Sequence, residues 1–367
     1  MIPVTEDEYI PDVDEVHPGK IKAWLIELRA PFLTASTIPV FLGAAIAWGL
    51  HSVFRLDYFL LTLIAAICLH IGANVSNDYF DHTTDMTGSD DINKEFIRPY
   101  TGGSRMIQKG FLSPREVLSG SLVFFAIGAS IGIYLFLQLG VFILILGIVG
   151  IGSGFFYTAP PFRLVTRGIG EFFIALNFGT LMVVGSYYVQ YPIQIQNILQ
   201  EPIMSIPLLL VYELLEPIIA SLPVAFLIMA VLYINEFPDH DADRDAEKKT
   251  LVVRLGRKRA AKGYVVIMAA TYLPIIIGVI FGLVQLHTLL ILVTVPLAVK
   301  SSMICLSSHN DIPELVPANA GTIQNHMLTG ILLCLSYLLV GLMIPWEIVL
   351  LVTLFLAILS NIRSFMD

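Results

Sequence analysis

Long apolar stretches alternate with polar segments along most of this chain. Each stretch approaches the roughly 20 residues that a helix needs to cross a bilayer. The last one follows its predecessor after only three residues, so we expect either a tight hairpin or an interfacial helix there. The pattern predicts an all-α, polytopic membrane protein with nine, or ten, transmembrane helices. The predicted spans are residues 32–50, 57–76, 117–138, 140–157, 168–190, 218–237, 264–283, 286–304, 323–343 and 346–363.

Two acidic clusters, residues 74–85 and 235–245, each follow a long apolar stretch. Carboxylates are costly near a bilayer, so such clusters predict a functional site. Residues three, four and seven positions apart share one face of a helix, and Asp241 and Asp245 are therefore predicted to point away from their row. The two predicted rows are Asn74, Asn77, Asp78, Asp81 and Asp85 in the first cluster, and Asn235, Asp239 and Asp243 in the second.

Basic loops, residues 82–116 and 238–262, follow the two clusters. Aligned carboxylates repel one another unless a cation lies between them, and oxygen ligands suit Mg²⁺, which usually also coordinates substrate phosphate. Acidic side chains that can bind a metal ion, together with basic side chains that can bind phosphate, lie at a membrane surface. This combination predicts a diphosphate substrate with a lipid tail. The expected chemistry is departure of the diphosphate as Mg²⁺ neutralises its charge. The complementary basic residues are Arg98, Arg105, Lys109, Lys248, Lys249 and Arg254.

An allylic tail would leave a carbocation, which aromatic faces stabilise by about 0.5–2 kcal/mol each. The candidate aromatic residues, each of them also compatible with lipid contact or core packing, are Tyr79, Phe80, Phe155, Phe156, Tyr157, Tyr187 and Tyr188. The alternative interpretation of the clusters is a solvated helix end with scattered charge. Two aligned rows, each beside a basic loop, disfavour that alternative.

The distribution of Lys and Arg predicts the orientation, since acidic residues contribute little to topology. With the N-terminus in the cytoplasm, only Arg55 of the basic residues between the predicted spans falls on the opposite side. A tenth span would also return Arg363 to the cytoplasm, which favours ten spans over nine. We therefore expect a multi-pass protein of the cell membrane, with its N-terminus and both acidic clusters cytoplasmic.

Composition agrees with this interpretation, since 56% hydrophobic and 14% charged residues are too apolar for a soluble globule of 367 residues. The formal charge of −8 indicates little about partners, because six acidic residues lie in the first fifteen positions. That start lacks the basic region of a signal peptide and predicts a retained, solvated tail. The three cysteines have no metal or redox spacing and are predicted to be buried thiols. The predicted organisation is an acidic tail over 1–20, a membrane domain over 21–345 and an additional apolar helix over 346–367.

The acidic motifs closely resemble those of the UbiA superfamily of intramembrane aromatic prenyltransferases. Asn77-Asp78-x-x-Asp81-x-x-x-Asp85 matches the first motif of that family, and Asp239-x-x-x-Asp243 resembles the second. The resemblance covers roughly residues 20–345. It implies a helical bundle around a central cavity with a lateral opening to lipid, and Mg²⁺-dependent transfer of a polyprenyl group from its diphosphate to an acceptor.

Further segments resemble the branch that prenylates 1,4-dihydroxy-2-naphthoate in menaquinone synthesis. They are residues 98–108, Gly170-Glu171, Phe178-Gly179, residues 185–190 and residues 249–256. Two places depart from that branch: residues 235–239 read Asn-Glu-Phe-Pro-Asp where Asn-Asn-x-Arg-Asp is common, and Glu247 replaces a glycine. The acceptor therefore stays open between dihydroxynaphthoate, geranylgeranylglyceryl phosphate, a hydroxybenzoate and a phenazine-type carrier.

The resemblance also implies residue roles. Two Mg²⁺ ions would bridge the diphosphate, Tyr157 would lie near the leaving group or anchor the chain at the interface, and Asp78 would be able to remove a proton from the acceptor. Asp78 and Asp81 with Tyr157 are thus the predicted catalytic residues. The implied metal ligands are Asn74, Asp78, Asp81, Asp85, Asp239 and Asp243. The implied substrate-binding residues are Asn77, Arg98, Arg105, Lys109, Arg163, Asn235, Lys248 and Lys249.

A cation-coupled transporter is the competing function from another class. Transporter ion sites usually lie near the bilayer midplane on interrupted helices, whereas these acids are predicted at cytoplasmic helix ends beside basic loops. We expect a polyprenyl diphosphate, a small aromatic acceptor and the lipid bilayer as partners. Neither nucleic acid nor an obligate protein partner is indicated.

Overall fold

The computed structural model of this chain describes residues 19–83, 103–192 and 206–349. Throughout those ranges the secondary structure is helical, and they contain no strand. Short 3₁₀ segments precede α2 and α10, and a π-helical turn, Leu176–Leu181, interrupts α6. The helices are α1 (Lys20–Glu27), α2 (Thr34–His51), α3 (Leu56–Thr83), α4 (Pro114–Leu139), α5 (Val141–Phe155), α6 (Gly170–Gln190), α7 (Ile206–Asp245), α8 (Leu251–Leu255), α9 (Arg257–Ile280), α10 (Val295–Ser308) and α11 (Ile312–Gly341).

Within the described residues, eight helical segments are long and apolar enough to cross a membrane. They are Lys20–His51, Leu56–His82, Pro114–Leu139, Gly170–Gln190, Glu213–Asp245, Arg257–Ile280, Leu286–Ser308 and Ile312–Gly341. The predicted span 140–157 corresponds to α5, which is shorter. The prediction of an all-α, polytopic membrane protein is confirmed. The number of spans stays a prediction, because most of 346–363 lies outside the described residues.

The helices extend further than the apolar pattern indicated. The predicted basic loop 238–262 is wrong for most of its length: α7 continues to Asp245, and α8 and α9 occupy much of the rest. Pro217, Pro223 and Pro238 all lie inside α7. Hydropathy marks where side chains leave the bilayer, whereas a helix ends where its backbone hydrogen bonds end. The acidic residues are therefore held on rigid helix ends.

The main core lies where α2, α6, α7, α9 and α11 meet. Two glycines allow backbones to approach closely: a Cβ at Gly43 would come within 2.3 Å of the Val183 carbonyl oxygen, and one at Gly179 within 2.3 Å of Ala225 Cβ. α4 packs mainly against α3. This arrangement brings the carboxyl-terminal ends of α3 and α7 to the same end of the bundle, where Lys248 contacts both.

Candidate active site

A cavity of about 400 Å³ lies among helices α2 to α7. Its volume falls within the range of small-molecule sites. Most of the wall is apolar, with side chains such as Leu135, Ile143 and Leu146. One part of the wall is polar and is lined by Asn74, Asn77, Asp81, Asn235, Glu236, Asp239, Asp243, Lys248 and Thr250. An apolar chamber with a polar end suits an amphiphilic substrate.

The two acidic clusters meet at Lys248. Its ammonium nitrogen lies 3.9 Å from Asp81 Oδ2 on α3 and 3.8 Å from Asp243 Oδ1 on α7. Asn77 Nδ2 donates a hydrogen bond of 3.1 Å to Asp81 Oδ2, one helical turn away. Asp81 and Asp243 are both buried, so their charges are weakly screened. Carboxylates 162 positions apart in sequence therefore share one cation.

Asp78 has a different environment from the rest of its predicted row. It forms an ion pair with Arg29 and accepts a hydrogen bond of 2.9 Å from the backbone N–H of Ser104. The Ser104 hydroxyl in turn donates to the Glu27 carboxylate at the end of α1. Asp78 thus connects α3 to α1 and to the segment that precedes α4. The apolar pattern gave no signal for Arg29, whose partner lies 49 positions away.

The acidic residues at the end of α7 face two directions, as their helical spacing predicts. Asp239 and Asp243 line the cavity, whereas the side chains of Asp241 and Asp245 are 53% and 59% exposed. Asp241 forms an ion pair of 3.1 Å with Arg257 on α9. Asn235 lines the cavity and accepts a hydrogen bond of 2.8 Å from Asn319 Nδ2 on α11.

The predicted basic residues do not all reach the cavity. Lys248 lines it, but Lys249 is exposed. Among the described residues, Arg105, Lys109 and Arg163 are likewise absent from the cavity wall. Asp85 and Arg98 lie outside the described residues. Of the described basic residues predicted for this site, Lys248 is the one that lines the cavity, and Arg29, which was not predicted, lines it as well.

Tyr157 lies in the turn after α5 and lines the cavity. The other six aromatic candidates do not line the cavity wall, which instead carries Phe32, Phe125 and Phe178. Tyr187 contacts His51, away from the cavity.

The donor set fits Mg²⁺ bound together with a phosphate ligand. Within the described ranges, no three acidic, histidine or cysteine side chains converge into a complete metal site. Mg²⁺ usually takes only one or two carboxylates and completes its octahedron with water and substrate phosphates. The carboxylate and amide oxygens that line one chamber match that preference. The Lys248 ammonium group, which contacts Asp81 and Asp243, shows that a cation is accommodated between these two acids.

Comparison with known proteins identifies the family. The sequence profile described as "UbiA prenyltransferase family" matches residues 36–316. The chain belongs to the UbiA prenyltransferase family. It is 27% identical to the 2-carboxy-1,4-naphthoquinone phytyltransferase of Synechocystis over 87% of this chain and 94% of that protein. It is 28% identical to the 1,4-dihydroxy-2-naphthoate octaprenyltransferase of Escherichia coli, over 88% and 96%.

Solved structures of this family share the fold. A UbiA homolog from Archaeoglobus fulgidus bound to GPP and Mg²⁺ superposes with a TM-score of 0.53 at 16% identity, covering 85% of this chain and 99% of that one. The apo UbiA homolog from Aeropyrum pernix gives 0.54 at 16% identity, over 83% and 96%. The UbiA chain described here is thus a multi-pass membrane prenyltransferase.

Proposed function

We propose that this protein transfers a polyprenyl group from its diphosphate to an aromatic acceptor, with 1,4-dihydroxy-2-naphthoate as the leading acceptor. The observation that carries the proposal is the meeting of Asp81, Asp243 and Lys248 at the polar part of an otherwise apolar cavity. A diphosphate head requires charge-assisted contacts, and its prenyl tail requires apolar surface.

Each part of the cavity then has a role. Lys248 binds diphosphate oxygens, and the apolar wall around Leu135, Ile143 and Leu146 holds the tail and excludes water from the reacting carbon. Asp78, paired with Arg29, positions the end of α3. Mg²⁺ would be held by Asn74, Asp81, Asp239 and Asp243, and would supply neutralisation of the charge that develops on the departing diphosphate.

The naphthoate acceptor is supported by the named activities of the relatives from Synechocystis and Escherichia coli. Their identities of 27% and 28% leave the other three acceptors as alternatives. The excess of Lys and Arg on one side supports a cytoplasmic N-terminus and a cytoplasmic polar end of the cavity. The membrane domain would then receive a water-soluble acceptor from the cytoplasm.

Membranes carrying the full chain test this function directly. They are incubated with labelled polyprenyl diphosphate and each of the four acceptor classes, with Mg²⁺ or with a chelator. We expect a prenylated product with dihydroxynaphthoate, lost on chelation and with Asp81→Ala, but retained with Asp245→Asn, whose side chain is exposed. Absence of product from every acceptor, or a product unaffected by Asp81→Ala, would contradict the proposal.

A further inference from the structure

Glu236 is a cavity-lining acid to which the chemistry above gives no role. It is 6% exposed and lies three residues before Asp239 on α7, about 4.5 Å along the helix axis. A buried carboxyl group is costly in an apolar bundle unless it is hydrogen-bonded.

A second buried acid lies on α6, the helix that packs against α7. Glu171, at the start of α6, is 1% exposed, and α7 carries Glu236. Glu171 Oε1 accepts a hydrogen bond of 2.6 Å from the backbone N–H of Leu251, which fixes its orientation. Oε2 of either glutamate is enclosed and receives no hydrogen bond from an N–H or O–H donor of the described residues. Of the two glutamates, Glu236 lines the cavity, so its carboxyl group is the one that a ligand in the chamber would meet.

Two of the three chemical groups in the proposed reaction do not fit this wall. A diphosphate would be repelled by adjacent carboxyl groups, and it has Lys248 available instead. A prenyl tail would leave the polar oxygens unsatisfied. A ring hydroxyl fits, because it donates a hydrogen bond to a carboxyl oxygen. Tyr157, on the same cavity wall, supplies a hydroxyl group and an aromatic face.

We propose that Glu236, oriented by Glu171 and flanked by Tyr157, binds a hydroxyl group of the aromatic acceptor. This subsite lies about one helical turn from Asp239, and so places the acceptor ring beside the diphosphate end of the prenyl donor. The subsite selects acceptors that carry a hydrogen-bond donor on the ring. A carboxylate on the acceptor ring is directed away from the glutamates, toward the part of the cavity that holds Lys248.

The inference rests on the proposed function for its ligand class, but its test needs no turnover. Purified full-length protein in detergent is titrated with 1,4-dihydroxynaphthalene under reducing conditions and with its dimethyl ether, which lacks both hydroxyl hydrogens. Binding is measured as a concentration-dependent rise in melting temperature. Polyprenyl diphosphate with Mg²⁺ is titrated separately against the same samples.

We expect Glu236→Leu to weaken diol binding about five- to a hundredfold, the range for a buried hydroxyl left without its hydrogen-bond partner. Glu236→Gln, which keeps the size of the side chain, should weaken it about tenfold or less. Binding of the dimethyl ether and of the diphosphate should stay unchanged in both variants. Asp245→Asn, on the exposed side of the same helix, should change none of the three.

Three results would overturn the inference: wild-type protein that does not bind the diol, variants in which diol and ether respond alike, and variants that lose diphosphate affinity to the same extent. Retained diphosphate binding shows that a variant is folded. Failure of wild-type protein to bind diphosphate would instead count against the proposed function, and the comparison of diol with ether would still test Glu236 independently.

Discussion

Two of the polar regions in the described part of the bundle differ in whether their hydrogen-bonding groups face a cavity or one another. In the cavity, Asp81, Asp243, Lys248 and Glu236 face an open chamber. The second region lies between α9, the segment before α10, and α11. Its four buried side chains bond to one another, and they are Tyr272, Thr294, Asn325 and Thr329.

The second region forms a closed network. The Tyr272 hydroxyl lies 2.9 Å from Thr294 Oγ1 and 3.1 Å from Asn325 Nδ2. Thr329 Oγ1 donates to Asn325 Oδ1 at 3.1 Å and lies 3.0 Å from Thr294 Oγ1. Buried polar groups that satisfy one another stabilise helix packing, whereas those directed at a void are available to a ligand. We therefore expect substitutions in the cavity to change activity, and substitutions in the network to change stability.

The largest effect is expected for Asp243→Asn. This isosteric change removes one of the two charges at the Lys248 contact, and loss of such electrostatic stabilisation lowers kcat by about 10²- to 10³-fold. Asp241→Asn, two residues away and exposed, should stay near wild type. Prenyl transfer in membranes measures both. Equal losses in the two variants would mean that the helix end, rather than the cavity-facing charge, is required.

A smaller effect is expected for Lys248→Met. The substitution removes the cavity lysine, so the KM for polyprenyl diphosphate should rise about ten- to a hundredfold. Lys249→Met alters the adjacent but exposed lysine and should change this KM by less than about threefold, because solvent screens its charge. Steady-state kinetics with a saturating acceptor separates the two. A comparable rise for Lys249→Met would restore the role that the sequence predicted for that residue.

The contrast between these lysines shows how far the sequence alone leads. Helical spacing predicted that Asp239 and Asp243 share a face from which Asp241 turns away, because a helix repeats within a few residues. Spacing carried no information on whether Lys248 or Lys249 faces the cavity, since both follow the end of α7. That choice depends on contacts with α3, more than 160 positions earlier.

Long-range pairs account for the other differences. Asp78 belongs to the predicted metal-binding row, yet it is paired with Arg29, and that contact depends on how α1 packs onto α3. Glu171 and Glu236 come from α6 and α7, which pack against each other, and no local sequence pattern indicates that packing. The apolar spans were predictable because bilayer thickness sets their length, whereas the helix ends were not, because polar residues continue a helix without an apolar signal.

The smallest effect is expected for Asn325→Leu in the closed network. Interhelical hydrogen bonds in membranes contribute on average about 0.6 kcal/mol and at most about 1.7 kcal/mol, so unfolding free energy should fall by about 1 kcal/mol. Thermal unfolding in detergent measures this, with the outward-facing Leu328→Ala on the same helix as the control. The KM for both substrates should be unchanged.

An altered KM for Asn325→Leu would show that the closed network and the cavity are not independent. Helix α11 could connect them. Asn319, also on α11, donates to Asn235 at the cavity wall. Asn319 and Asn325 are six residues apart, about 9 Å along the helix axis. If α11 shifts when the network is lost, the Asn235 amide would therefore move first, and Asp243 and Lys248 would be affected only by a larger shift. The variant Asn319→Leu decides between these cases, because it removes the contact to Asn235 while leaving the closed network intact.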